Sequence, residues 1–451
     1  MSNASSTLRE REIWGHPVGL YVLFFVELWE RFSYYGMRAI LTLFLAAAAI
    51  GENPGMGWSN AETISFYGTY TMLVYVMSIP GGILADKFIG AKKAVMVGGV
   101  LLCIGHLTLA FPSMTAFYAG LGFIILGVGC LKPNISTMVG GLYKQGDERR
   151  DKGFYIFYIG INLGAFFGAI AVGTVAKYYG WHMGFGLAGI GMFIGQIVYM
   201  FGLKYLEGCG DFIGKASSAD NEASKKPLSK IEKDRMLVLF LSFLLIIVFW
   251  GAFEQAGGLM NLYTEQKTNR MLFGWEVPAA WFQSINAFFI ITLGTAVGAF
   301  WYWWKMSGKE GSSLFKMAIG LIIMGWGFLF MTLSTMEYAS TGEAAMIWLV
   351  LAYLFHTIGE LCASPVALSF ITKLAPVKYA SFMMGAYFAA TGFGNKLAGL
   401  VGEWSQTAGE MEIFTGIAIF CTVFGLLVIA LLKPLKRLTH GAEDLQVEAT
   451  H

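Results

Sequence analysis

The stretch Glu27-Leu-Trp-Glu30-Arg31-Phe-Ser-Tyr34-Tyr35-Gly36-Met-Arg38 lies inside the first apolar run of the chain, between Val18–Val26 and Ala39–Ala49. A charge at the centre of a bilayer costs roughly 2.5–3.5 kcal/mol on insertion scales, so four in one segment need a shared reason. At about 100° per residue, Glu27, Glu30, Arg31, Tyr34 and Arg38 fall on one face of a helix. That face is wet and ionised while the others meet lipid or other helices. It is a pathway, or a very expensive structural joint.

Composition sets the medium. Of 451 residues, 56% are hydrophobic, 16% aromatic and 13% charged, against about a quarter charged in an average soluble domain. This is the composition of a membrane protein. A net charge of +2, without a basic patch carrying interleaved aromatics, argues against nucleic acid as a partner. The five cysteines, Cys103, Cys130, Cys209, Cys362 and Cys421, lie mostly in apolar runs without framework or metal spacing. They read as small packing residues. The polar stretch Met1 to His16 has no short apolar region before a cleavage site, so no removable signal peptide is expected.

Runs of about 20 apolar residues, enough to cross a bilayer, occur near 18–49, 62–85, 93–111, 116–140, 152–176, 182–205, 234–259, 278–304, 315–336, 345–372, 379–402 and 411–432. The first is too long for a straight crossing, so tilt or an extension beyond the bilayer is expected. The long polar stretch Glu207 to Lys233 follows the sixth run. The expected organisation is therefore an all-α membrane protein of twelve transmembrane helices: a six-helix bundle over 1–206, a cytoplasmic linker over 207–233, and a second bundle with a tail over 234–451. The 57 glycines suit helices that pack closely in lipid.

Orientation follows from the basic residues. With Met1 inside, the tails and the loops on that side hold 24 of the 31 lysines and arginines. Lys177, Lys267 and Arg270 stand on the other side, and Arg31, Arg38, Lys132 and Lys396 lie within helices. This bias puts both termini in the cytoplasm of a multi-pass protein of the inner (plasma) membrane. The sequon Asn3-Ala-Ser5 then reads as chance.

Besides the four charges of helix 1, Lys132, Glu254, Glu360 and Lys396 fall inside apolar runs. Four acids face four bases. A cavity slightly positive on one wall and negative on the other would orient a zwitterion, carboxylate to one side and ammonium to the other.

Six motifs carry a resemblance. Glu27-x-x-Glu30-Arg31-Phe32-x-Tyr34-Tyr35-Gly36 resembles the signature of the proton-dependent oligopeptide transporters, a branch of the major facilitator superfamily. Gly82-Ile-Leu-Ala-Asp86-Lys87-Phe-Ile-Gly90-Ala-Lys92-Lys93 resembles the superfamily's loop between helices 2 and 3, and Leu131-Lys132-Pro133-Asn134-Ile135-Ser136 the family's helix 4 motif. Phe154-Tyr155-x-x-Tyr158-x-x-Ile161-Asn162-x-Gly164 is similar to the helix 5 motif. Phe253-Glu254-Gln255-x-Gly257 and Gly359-Glu360-Leu-x-x-Ser364-Pro365 resemble helices 7 and 10. The resemblance implies the major facilitator fold, with six-plus-six helices around a central cavity and rocking halves. Two departures stand out: the linker is too short and polar for the two extra helices many bacterial members carry there, and Tyr387 stands where the family commonly has tryptophan, which bears on a side-chain pocket or an intracellular gate.

Glu27 with Arg31 is an i,i+4 pair and Glu30 can pair with Lys132, which is compatible with a structural lock. The functional reading makes both acids proton-responsive carboxylates set by burial and nearby cations, and the resemblance implies this proton-coupling role for Glu27, Glu30, Arg31 and Lys132. Arg38 and Lys132 suit the peptide carboxylate, one as a planar fork and the other as a point charge. Glu360 suits the peptide amine. By resemblance Asn162 and Asn286 hydrogen-bond the peptide backbone; by chemistry alone each is equally a helix-packing amide. Tyr34, Tyr75 and Tyr158, and with less reason Tyr35, supply hydroxyls or pack. Trp250 stands one turn before Glu254 as the wall of a side-chain pocket. Glu254 reads as a gate near the outer face, with Lys396 neutralising it or snorkelling. Asp86 reads as a conformational latch to a helix end or a basic residue in the neighbouring bundle.

His16, His106, His182, His356, His440 and His451 are scattered without metal spacing, and no phosphate-binding loop is present. His356, one turn before Glu360, either tunes it or packs. No enzyme activity, metal or cofactor is expected, so the energy comes from an ion gradient, and buried carboxylates opposed by cations suit H+ better than sodium. The reading is a proton-coupled symporter importing di- and tripeptides by alternating access. The alternative is a proton-coupled transporter of another small zwitterionic or anionic metabolite or drug on the same fold. Its expected partners are di- and tripeptides, protons and the lipid bilayer, with the chain a monomer.

Overall fold

A computed structural model describes residues 11–144, 147–212, 228–376 and 379–442. Residues 213–227 of the expected linker and the Asn3 sequon lie outside the described residues. Twelve long helical stretches follow one another: α1 (Val18–Ala46), α2 (Asn60–Ile89), α3 (Ala91–Leu109), α4 (Met114–Gly141), α5 (Arg149–Tyr179), α6 (Trp181–Tyr205), α7 (Lys230–Lys267), α8 (Ala279–Met306), α9 (Ser313–Thr341), α10 (Met346–Leu374), α11 (Ala380–Ala408) and α12 (Glu410–Ala430). A short helix, α13 (Leu432–Thr439), ends the described chain. Ten of the twelve are long and apolar enough to cross a membrane. The two that fall short are α1, with its four charges, and α11, which carries Asn395, Lys396 and Glu403. Both fail for their polar residues, not for their length.

Two features recur at matching places in the two sets of six. A single glycine turns α5 into α6 and α11 into α12: Gly180 and Gly409 have φ of 100° and 102°, a region open at little cost only to a residue without a Cβ. A proline sits inside α4 (Pro133) and inside α10 (Pro365). This is the mark of a duplicated six-helix plan.

Contacts divide the chain into two compact units, one of Met1–Ser59, Leu73–Lys215 and Glu276–Phe288, the other of Asn60–Met72, Ala216–Trp275 and Phe289–His451. The first half of α2 thus groups with the second unit and the start of α8 with the first, a finer division than the polar linker indicates.

Within the first unit, α1 and α5 meet backbone to backbone. A Cβ on Gly164 would stand 2.2 Å from the Leu28 carbonyl oxygen and 2.9 Å from Arg31 Cβ, and one on Gly168 would stand 2.4 Å from the Phe32 oxygen. Small residues permit this approach, and dispersion and packing hold it where lipid supplies no hydrophobic drive. The crossing fixes the helix that carries the charged face. Residues 207–212 dock against the start of α3: Lys92 Nζ lies 2.7 Å from Asp211 Oδ1, and the Lys92 amide donates to the Gly210 carbonyl at 2.9 Å. In the second unit α9 and α10 cross at Gly320 and Gly359, each facing the other's carbonyl oxygen.

Candidate functional site

The charged face of α1 folds into a compact ion cluster. Arg31 Nε donates to Glu27 Oε1 at 2.7 Å and lies 3.0 Å from Glu30 Oε2. Glu27 and Glu30 are 1% and 0% exposed. Two carboxylates on one guanidinium leave a negative charge over, and a dry site requires a cation or a proton to match it. Lys132 of α4 is within electrostatic reach of Glu30, and its Nζ lies 3.5 Å from the centre of the Tyr75 ring of α2. Glu27 Oε2 and Glu30 Oε1 accept no hydrogen bond among the described residues, so each carboxylate keeps an oxygen available to a proton. Carboxylates this close exchange protons as a pair and not one by one.

The local backbone explains where Lys132 stands. Pro133 has no N–H, which leaves the Gly129 carbonyl without its helical donor. At that carbonyl α2 crosses α4 so closely that a Cβ on Gly81 would lie 1.9 Å from the oxygen. The crossing carries Tyr75, upstream on α2, onto Lys132. Asn134 turns inward as well, its amide donating to the Cys130 carbonyl at 2.7 Å.

Arg38, two turns beyond Arg31 and buried, sits over the Tyr35 ring at 4.9 Å, and Tyr34 packs edge-on against Tyr35 at 5.5 Å. On α5 the Asn162 amide donates to the Tyr158 carbonyl at 2.9 Å, a bond within its own helix, while the Tyr158 side chain is exposed. Asn286 lies near the start of α8, in the segment grouped with this unit. Asp86 is exposed on a π-helical turn, Ala85–Ile89, and makes no hydrogen bond or ion pair among the described residues.

In the second unit α7 breaks at the acid. Its α-helical part ends at Phe253, a tight turn covers Glu254–Ala256, and the helix resumes at Leu259. Broken helices are tolerated at membrane depth where protein or a cavity surrounds them. Glu254 is 1% exposed, and its Oε2 accepts from the Tyr67 hydroxyl at 3.1 Å. Gln255 donates to the Ala398 carbonyl of α11 at 3.0 Å. Lys396, on the same helix, donates to Thr69 Oγ1 at 2.8 Å and pairs with no carboxylate among the described residues. Trp250, Ser364 and Tyr387 line one small cavity of about 10 Å³, room for about one water. Glu360 is half-buried on α10. Gly359 and His356 of that helix face α9, where His356 packs 4.4 Å from the Phe328 ring.

A profile of the POT family matches residues 92–210 and 213–411. This chain belongs to the POT family. It is 33% identical to the peptide transporter YePEPT of Yersinia enterocolitica, covering 99% of this chain and all of that one. It is equally 33% identical to a di-/tripeptide transporter of Lactococcus lactis subsp. cremoris, covering 97% and 99%. Among solved structures, a peptide transporter of the family bound to sulfate superposes with a TM-score of 0.89 at 32% identity, over 97% of this chain and 99% of that one. A family transporter bound to 5-aminolevulinic acid gives 0.87 at 30% identity, over 96% and 99%. The fold is therefore that of the POT transporters, a multi-pass membrane protein of the major facilitator type.

Every charge expected within the helices of this POT-family chain is buried or half-buried. Sequence reasoning passed over Tyr67 and Thr69, the partners of Glu254 and Lys396. The signal for Tyr67 was there in Thr63, Tyr67, Thr71 and Tyr75, hydroxyl-bearing residues four apart, which form one stripe on a helix.

Proposed function

We propose that this POT-family chain imports di- and tripeptides with protons moving in the same direction, by alternating access of its two six-helix bundles, 1–206 and 234–451. The observation that carries the reading is Arg31 held between Glu27 and Glu30 in a buried cluster with Lys132. A proton on either acid removes one of the two charges that hold the guanidinium, and a proton on Glu30 also loosens its tie to Lys132. The contact between α1 and α4 then depends on protonation. Arg38, with Lys132, takes the peptide carboxylate through charge-assisted hydrogen bonds, and Glu360 takes the α-ammonium. Tyr34, Tyr75, Tyr158, Asn162 and Asn286 bond the peptide backbone, and Trp250 walls a side-chain pocket. Glu254, Lys396, Asp86 and Tyr387 act in gating. The excess of basic residues on one side supports an inner-membrane protein with cytoplasmic termini, working as a monomer. The named substrates of the Yersinia and Lactococcus relatives support peptides as cargo.

A second reading has its own support, since a family structure at 30% identity holds 5-aminolevulinic acid, a small zwitterion. Proteoliposomes with an imposed inward proton gradient separate the two. Accumulation of a labelled dipeptide and a tripeptide, not competed by 5-aminolevulinic acid, supports peptide import. Accumulation of the amino acid without that of either peptide supports the second reading.

A further inference from the structure

Away from the charged helices, α8, α9 and α10 enclose a groove of about 400 Å³. Phe300, Trp301 and Trp304 form one wall and Phe315 and Ile319 another. Cys362 lies at the bottom, where its Sγ accepts from Trp301 Nε1 at 3.3 Å. The lining is apolar throughout, and the volume is that of a small-molecule site. Lysines ring the end of the groove where α8 gives way to α9. Lys309 Nζ lies 4.3 Å from the centre of Trp304 and 5.3 Å from that of Trp303, and Lys316 Nζ lies 5.4 Å from Trp301. The rings that wall the slot therefore hold the cations at its edge. Lys305 is exposed beside them. The acid of this loop, Glu310, is engaged by Lys436 at 2.9 Å and by the Ser312 amide at 2.8 Å, so its charge is already matched.

We propose that this groove binds an anionic phospholipid, with one acyl chain in the apolar slot and the phosphate held by Lys309 and Lys316. Tryptophan and lysine at a helix end are the usual anchors of a membrane interface, but anchoring alone builds no slot down to Cys362 in the middle of α10. Hydrocarbon fills such a slot in a bilayer, and the lysines select which lipid supplies it. A zwitterionic headgroup brings its own cation against Lys305, Lys309 and Lys316, whereas an anionic one does not. The proposal depends on the chain spanning a membrane and not on its cargo, so a failure of peptide transport leaves it unaffected.

The test is native mass spectrometry of the purified full chain offered equal amounts of phosphatidylglycerol and phosphatidylcholine with identical acyl chains. The expected result is retention of phosphatidylglycerol about ten-fold over phosphatidylcholine, the scale set by two lysines near one anionic group. Lys309→Gln with Lys316→Gln brings that preference to within about two-fold, because the charge term is removed while the slot stays. Ala296→Trp places an indole in the groove and removes the retained lipid; thermal unfolding checks that each variant is folded. Equal retention of the two lipids by the unaltered chain overturns the proposal, as does an unchanged preference in the lysine variant. Those two arms stand even if Ala296→Trp does not fold.

Discussion

The Tyr67 hydroxyl reaches Glu254, 187 residues away, through space that only a glycine at 257 leaves open. The bond measures 3.1 Å, and a Cβ on Gly257 would fall 1.9 Å from the hydroxyl oxygen. The broken turn of α7 and the hydroxyl stripe of α2 are therefore fitted to one another. Tyr67→Phe leaves a buried carboxylate short of a donor and is expected to cost about 1–3 kcal/mol, read as a lower unfolding temperature in detergent. Adding Glu254→Gln to Tyr67→Phe recovers part of that loss, because a neutral amide is less costly to leave underbonded. Gly257→Ala is expected to destabilise the chain at least as much as Tyr67→Phe.

Arg31 bridges two acids, so its removal and theirs are coupled. Arg31→Gln strands Glu27 and Glu30 together at a buried site, at a cost of about 3–5 kcal/mol unless they take up protons. The double variant Arg31→Gln with Glu27→Gln is expected to be more stable than Arg31→Gln alone. Thermal unfolding of the two single variants and the double variant measures this coupling, and additive losses would dissolve the cluster as a unit.

Glycine crossings are expected to be sharply unequal. Gly164→Ala drives a methyl into the Leu28 carbonyl and Arg31 Cβ, forcing α5 from α1, at about 1–3 kcal/mol. Gly122→Ala on α4 meets nothing within 4 Å and is expected to be neutral or to stabilise by up to about 1 kcal/mol. Unfolding temperatures of the pair check the contrast.

The dock of residues 207–212 on α3 carries a pH signature. Lys92 beside Asp211, with a further bond from the Gly208 amide, holds the Asp211 carboxyl below the ordinary aspartate value. A depressed carboxyl contributes stability above its unfolded pKa of about 3.9, and that contribution fades as the pH falls through the folded value. Asp211→Asn is therefore expected to lower the unfolding temperature slightly near neutrality, with the difference from the unaltered chain closing in strong acid. A half-exposed pair such as this makes the effect small.

Hydropathy and charge counting reach far into this fold. All twelve runs become long helices, and the stripe Glu27, Glu30, Arg31 becomes one bonded cluster. What they miss has a physical reason. The seventh run is expected to stop at 259, but α7 continues to Lys267 through Asn261 and Thr264, both buried by protein. Hydropathy registers lipid contact and passes over a polar helix sheltered by its neighbours. The break at Glu254 leaves a trace in Gly257-Gly258, a breaker dipeptide directly before the helix resumes at Leu259, which a hydropathy count passes over. Lys396 alternates in sequence reasoning between pairing with Glu254 and snorkelling; its bond to Thr69 is neither. Which hydroxyl meets which charge is decided by contacts between distant segments; the stripe Thr63, Tyr67, Thr71 and Tyr75 marks a polar face of α2 without naming the charge each hydroxyl meets.

The central claim is that protonation of the Arg31 cluster couples the gradient to peptide movement, and Glu30→Gln tests it most directly. In proteoliposomes with an imposed inward proton gradient, the unaltered chain should accumulate labelled dipeptide. Glu30→Gln should lose that accumulation yet still exchange labelled for unlabelled dipeptide in counterflow, because peptide binding and the rocking of the bundles remain. Gradient-driven accumulation by Glu30→Gln at the rate of the unaltered chain would contradict the account.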